Sequence, residues 1–172
     1  NMKAFIVKFE GEILCAVQST INISHKMQKN GYSIEEAENL INKKSGLLGV
    51  SGESPDSRNV TDLAEQGHYR SQLALKIQYY GIKKYIGAYT AAMNGLDAVV
   101  FTAGIGENDI ELREKVCANL GFMDLYIDKE KNNCRGKEVE ITGEGSKVRV
   151  FVIPTNEELM IAKDTQALVE AM

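Results

Sequence analysis

An α/β fold, a sheet with helices packed on it, is predicted by three observations. Strand-like apolar runs alternate with helical patterns through the second half of the sequence. Two of those runs, "AVVF" at 98–101 and "KVRVFVIP" at 147–154, each lead through a loop into a capped helix. A long amphipathic segment from about Tyr69 to Met93 supplies a helix able to bury a broad face. At 172 residues and 44% hydrophobic content, the chain fits one domain of ordinary size.

Asn1 ahead of Met2 looks like the remnant of an added tag. In "MKAFIVKF", Ala4 and Ile6 alternate with Phe5, Val7 and Phe9, and "EILCAVQSTINI" resumes after Glu10-Gly11. A β-hairpin is the economical reading, so residues 1–20 form an N-terminal strand pair. Ser33 with Glu36 is a capping box ahead of "IEEAENLINKKSG", stopped at Gly46. "GLLGVSGESPDSRN" is a loop by composition, and helix reopens at Thr61. In the long helix, Leu73, Ile77, Tyr80, Lys84, Ile86 and Tyr89 recur at spacings near three and four and mark the face to be buried.

The run at 98–101 is short, β-branched and aromatic, as suits a strand buried on both faces. "GIGEN" follows as a glycine loop, then a helix capped by Asn108 or Asp109, with Ile110, Val116 and Leu120 on one face and Gly121 as its stop. "DLYID" and "EVEIT" are further strands. The last helix, "TNEELMIAKDTQALVEAM", is capped by Thr155 or Asn156.

Composition excludes several classes of function. A net charge of −4 without a basic cluster argues against nucleic acid or an anionic membrane as partner. No apolar stretch approaches the roughly 18 residues of a membrane span, and the charged N-terminal run is unlike a secretory signal, so a cytoplasmic location is expected. Cys15, Cys117 and Cys134 show no C-x-x-C spacing and read as reduced thiols. His25 and His68 have no triad-like neighbours in sequence, and the tyrosines at 79, 80, 85 and 89 suit helix packing. Neither G-x-x-x-x-G-K-[ST] nor G-x-G-x-x-G occurs, so a nucleotide site must be of another design.

Three segments are richer than turns require. In "SPDSRN", Arg58 can set a rigid fork on a phosphate and Asp56 can position it or bind metal-held water; a solvated ion pair fits the same residues. In "GIGEN", Gly104 and Gly106 permit positive φ and close approach of a ligand, although an ordinary βα turn uses glycines too. In "PTNEE", Glu157 and Glu158 offset a helix dipole, or one of them is an oxygen donor toward Mg²⁺.

Taken together, "SGLLGVSGESPDSRNV", "AVVFTAGIGENDIELREKVCANLGF" and "VFVIPTNEELMIAKDT" resemble, in order and separation, the C-terminal domain of acetate kinases, as does the intervening "ALKIQYYGIKKYIGAYTAAMNGLDA". The resemblance covers roughly residues 31 to 165. It implies a ribonuclease-H-like domain of the actin-like ATPase and sugar kinase superfamily, a mixed sheet with flanking helices, and a single nucleotide-binding domain over residues 1–172. It further implies interconversion of ATP plus acetate with ADP plus acetyl phosphate, Mg²⁺, and a homodimer joined through this domain. Asp56, Ser57 and Arg58 stand where the family has its phosphate-side Asp-x-Arg, Arg58 being the catalytic candidate. Gly104, Ile105, Gly106, Glu107 and Asn108 stand where adenosine is held, and Glu157 where the Mg²⁺-linked glutamate lies. Ser57 lacks the family's apolar bulk, Asn59 replaces an acid, and "AVQSTINISHKM" replaces a "TRSGDIDP"-like loop. The family's N-terminal domain, with its acyl pocket and further catalytic groups, has no counterpart here. Two functions follow: the nucleotide half of an acetokinase, active with a separate chain supplying the other half, or a non-catalytic nucleotide-binding or structural domain that dimerises.

Overall fold

The computed structural model describes residues 4–8, 27 and 29–170. The backbone groups into two compact units, residues 11–88 and residues 1–10 with 89–172, the division falling inside the long helix.

The described residues of the first unit are helical apart from short turns. Helix α1 (Ile34–Lys43) begins on the predicted capping box: Ser33 Oγ accepts from the Glu36 N–H at 3.1 Å, and the Ser33 N–H donates to Glu36 at 2.8 Å. Both amides are orphans that the helix cannot satisfy itself. The stretch expected to be a loop holds two further helices, α2 (Gly46–Ser51) and α3 (Ser57–Glu65). Asp56 acts as the N-cap of α3, Ser51 and Ser54 accept from the Glu53 and Asp56 amides in the turn between the two helices, and Gly52, at φ 79°, closes α2 in the left-handed conformation that glycine tolerates.

Helix α4 (Tyr69–Met93) has the predicted extent and a different buried face. Ile86 of the expected face is buried, together with Ser71, Ala74, Leu75, Gln78, Tyr79 and Ile82, whereas Leu73, Ile77, Tyr80, Lys84 and Tyr89 of that face are exposed. The helix carries two apolar rows, each at helical spacing, and periodicity does not choose between them.

The second unit holds a four-stranded mixed sheet among the described residues, in the order β1 (Ala4–Lys8), β2 (Ala98–Thr102), β4 (Arg149–Val152), β3 (Val139–Glu140). Strands β1 and β4 both run parallel to β2, with Ala4 opposite Ala98 and Phe101 opposite Val152, while β3 is antiparallel to β4. The expected second arm of the N-terminal hairpin lies outside the described residues. Ala98, Val99, Phe101 and Thr102 are buried, as a strand covered on both faces requires. "DLYID" is not a strand: only Ile127 forms a single bridge, to Thr142, with Leu125 turned into the core.

"GIGEN" is not a loop. Ala103–Asn108 forms a short helix, α5, followed directly by α6 (Ile110–Cys117). Asp109, not Asn108, caps α6, accepting from the Leu112 N–H at 2.8 Å. Leu112, Val116 and Cys117 are buried, with Leu120 just beyond; burying each large aliphatic contributes roughly 1.5–3 kcal/mol. Helix α6 ends before Gly121, and the left-handed residue is Asn119 (φ 62°). A short helix α7 (Lys129–Asn132), capped by Asp128, precedes β3, and α8 (Glu157–Glu170) follows β4. Asn156 Oδ1 accepts from the Leu159 N–H at 3.1 Å, so Asn156 supplies the cap.

Candidate functional site

In the sheet unit, three parallel strands end at one edge, and the parallel register brings two sequence-distant candidates there. Strand β2 passes into α5 and β4 passes into Pro154–Glu157; the Ile153 N–H donates to Phe101 O at 2.9 Å, so both strands end at the same level. Ligands of open α/β sheets collect at the carboxyl ends of such strands, where connections diverge.

The turn from β2 into α5 takes a single residue. Thr102 is extended and Ala103 lies in the left-handed region at φ 59°, unusual for a residue with a Cβ. The positive φ expected of Gly104 or Gly106 is therefore carried by Ala103 instead. Gly104 is exposed, and a Cβ built on it would meet nothing within 4 Å. Neither backbone conformation nor protein packing requires a glycine there, which leaves its open surface free for a ligand. Gly106 is buried, so its backbone faces protein rather than solvent.

Helix α5 is satisfied from outside as well as within. The exposed Asn108 side chain donates to Gly104 O at 2.9 Å, the Asp109 N–H to Ile105 O at 2.9 Å, Arg113 Nη1 to Gly106 O at 2.9 Å and the Gly136 N–H to Glu107 O at 3.3 Å. Ile105 and Glu107 are half-buried. Glu157 is exposed in the first turn of α8.

In the helical unit, Asp56 and Arg58 form a forked pair. Asp56 Oδ1 accepts from the Arg58 N–H at 2.9 Å and from Nε at 3.1 Å, and Oδ2 accepts from Nη2 at 2.6 Å. The Arg58 side-chain hydrogen bonds, with its backbone N–H second, lower the Asp56 carboxyl to about 2. The same partner raises Arg58. Arg58 nonetheless presents 86% of its side chain to solvent, with no partner for Nη1 among the described residues. Ser54 supports the turn, its Oγ accepting from the Asp56 N–H at 3.1 Å and from Asn59 Nδ2 at 3.3 Å; Ser57 is half-buried. A solvated guanidinium whose fork is held open by one carboxylate can exchange that carboxylate for phosphate oxygens.

Two groupings were not legible in the sequence. His68 Nδ1 lies 2.7 Å from Ser71 Oγ, and Nε2 lies 4.0 Å from Glu53. The composition is that of a hydrolytic triad, yet Ser71 is fully buried and unavailable as a nucleophile. The other is the fully buried Arg113, whose acceptors beyond Gly106 O lie 19 and 21 residues downstream. Among the described residues no three His, Cys, Asp or Glu side chains gather as a metal site, and no helix is long and apolar enough to cross a membrane.

A family model of the acetokinase family matches residues 11–163. The chain belongs to the acetokinase family. It is 56% identical over 145 residues to the acetate kinase of Halothermothrix orenii, covering 84% of this chain and 36% of that protein. Porphyromonas gingivalis acetate kinase superposes with a TM-score of 0.79 at 47% identity, over 86% of this chain and 37% of that one. The propionate kinase of Francisella tularensis superposes with a TM-score of 0.75 at 37% identity, over 88% of this chain and 38% of that one. The acetokinase chain described here thus spans little more than a third of the length of these relatives. Its small mixed sheet with flanking helices is the α/β fold that the resemblance to actin-like ATPase domains implies.

Proposed function

We propose that this chain is the nucleotide-binding part of an acetokinase that interconverts ATP plus acetate with ADP plus acetyl phosphate. The observation that carries the reading is the sheet edge, where adjacent parallel strands β2 and β4 end at one level, β2 running into the helix that holds Gly104–Asn108 and β4 leading through residues 153–156 to Glu157. Gly104, Ile105, Gly106, Glu107 and Asn108 form the adenosine site, with Gly104 as the open floor and Gly106 and Glu107 fixing the segment through carbonyls that accept from Arg113 and Gly136. Asp56, Ser57 and Arg58 serve the phosphates.

Phosphoryl transfer asks little covalent chemistry of a protein and much charge compensation. In this reading Arg58 leaves Asp56 to donate its fork to phosphate oxygens, and Asp56, held ionised at neutral pH, returns the side chain to a defined place when the nucleotide departs. Mg²⁺ supplies further charge compensation when bound with the nucleotide. A single carboxylate such as Glu157, direct or through water, suits an ion held chiefly by phosphates.

A homodimer belongs to the same reading. Tyr69, Leu73, Ile77 and Tyr80 form an exposed apolar row on α4, suited to a second copy. A cytoplasmic location goes with the small charged acyl substrates. Because transition-state stabilisation needs groups from both sides of a cleft, the 172-residue polypeptide by itself should bind nucleotide without turnover.

Calorimetric titration with Mg·ADP tests this reading. Saturable binding that weakens at least roughly tenfold in Arg58→Ala supports it, a loss of about 1.4 kcal/mol. An absence of binding makes the chain a structural domain that keeps the family's fold without its ligand.

A further inference from the structure

Helix α5 is too short to fix its own orientation, since a single turn gains few internal bonds for the backbone it orders. Among the groups bonded to it from outside is a buried cation. Arg113, on α6, is fully buried and, among the described residues, forms no hydrogen bond to a carboxylate. Its Nε donates to Asn132 Oδ1 at 2.7 Å, Nη1 to Gly106 O at 2.9 Å, and Nη2 to Asn132 O at 2.9 Å and Cys134 O at 2.7 Å. Asn132 is itself buried and donates from Nδ2 to Ile110 O at 3.0 Å. The segment held in this way returns the Gly136 N–H to Glu107 O.

Burying an arginine without a carboxylate partner is costly, and burial lowers its pKa here. An apolar side chain would fill the same space without that cost. Only the directional fork accounts for the choice: it reaches three backbone carbonyls and one amide oxygen in a fixed plane, which an ammonium cannot reproduce.

We propose that Arg113 is a positioning residue for the nucleotide site, setting the orientation of the turn Gly104–Asn108 through the Gly106 carbonyl and the clamped segment 132–136. The proposal rests on the reading of that turn as the adenosine site. Arg113 touches no ligand; it determines where the open floor at Gly104 and the Asn108 side chain stand.

The test compares the unaltered chain with Arg113→Lys and Asn132→Ala, measuring backbone amide exchange and Mg·ADP affinity. Arg113→Lys should speed exchange of the α5 amides at least roughly tenfold relative to those of β2, with a comparable loss of Mg·ADP affinity. Asn132→Ala, which keeps the guanidinium and removes one acceptor, should do the same to a smaller degree, and it carries the test if the lysine variant does not fold. Uniform acceleration across β2 and α5 would mean a structural role only and overturn the proposal. So would local loosening with undiminished affinity. If the unaltered chain takes up no Mg·ADP, the nucleotide reading falls and the proposal with it; if the unaltered chain binds and both variants match it, the proposal alone falls.

Discussion

Gly104→Ala separates the two reasons a glycine can stand at a turn. Gly104 occupies the second position of α5, has no positive φ, and would place a new methyl in open space. In a helix, alanine is favoured over glycine by about 0.5–1 kcal/mol because the unfolded chain loses less freedom. With no clash to offset that gain, the variant should be more stable by about 0.5 kcal/mol, the lower end suiting a site near the helix start. For a chain of this size that raises the midpoint by about 1–2 °C. Urea and thermal unfolding followed by far-ultraviolet circular dichroism measure it. The same methyl covers the surface assigned to the nucleotide, so Mg·ADP affinity should fall at least roughly tenfold. Destabilisation beyond about 1 kcal/mol would refute the helical placement of Gly104. A stabilised variant with undiminished affinity would refute the assignment of its open surface to a ligand.

The Asp56 carboxyl should titrate at about 2 by nuclear magnetic resonance, and Arg58→Ala should move it part of the way toward 3.8, because the backbone N–H at residue 58 remains. With the folded value below the unfolded one, the contribution of this pair to stability is present above pH 3.8 and is lost as pH falls toward 2; solvent and salt screen the exposed partners, and an ordinary Asp56 titration would contradict the forked geometry. Phe101→Ala, at a fully buried position in β2, should cost about 3–5 kcal/mol in urea unfolding, and a loss under about 1 kcal/mol would contradict the two-sided burial of that strand. Asp109→Ala removes the cap of α6 and should cost about 1 kcal/mol, with Asp109→Asn recovering most of it.

What the sequence made legible was local or periodic. The Ser33–Glu36 box joins residues three apart, and the buried run at 98–101 is set by its own composition, so both could be read without knowledge of the rest of the chain. Asp56 was legible as a charged residue of interest but not as a helix cap, because the residues that terminate helices are also those that form turns; the capping Asp immediately ahead of "SRNV" was the available signal. The glycines of "GIGEN" suggested a loop, and the helix forms there because Asn108, Asp109, Arg113 and Gly136 each satisfy one of its carbonyls, three of them from beyond the segment. On α4 the exposed and buried rows share one spacing, so the choice between them depends on neighbours that periodicity does not reveal. Arg113 was the least legible of all. A charged residue in an amphipathic helix reads as solvated, and most of the acceptors that justify its burial, at Asn132 and Cys134, lie far along the chain.

In the proposed function a nucleotide sits at the carboxyl edge of β2 and β4. Amide exchange with and without saturating Mg·ADP tests that most directly. The expected result is slowed exchange at residues 103–108 and 155–158, together with residues 56–59, and little change in α1, α7 and β3. Protection confined to other segments, or no protection at any ligand concentration, would contradict it.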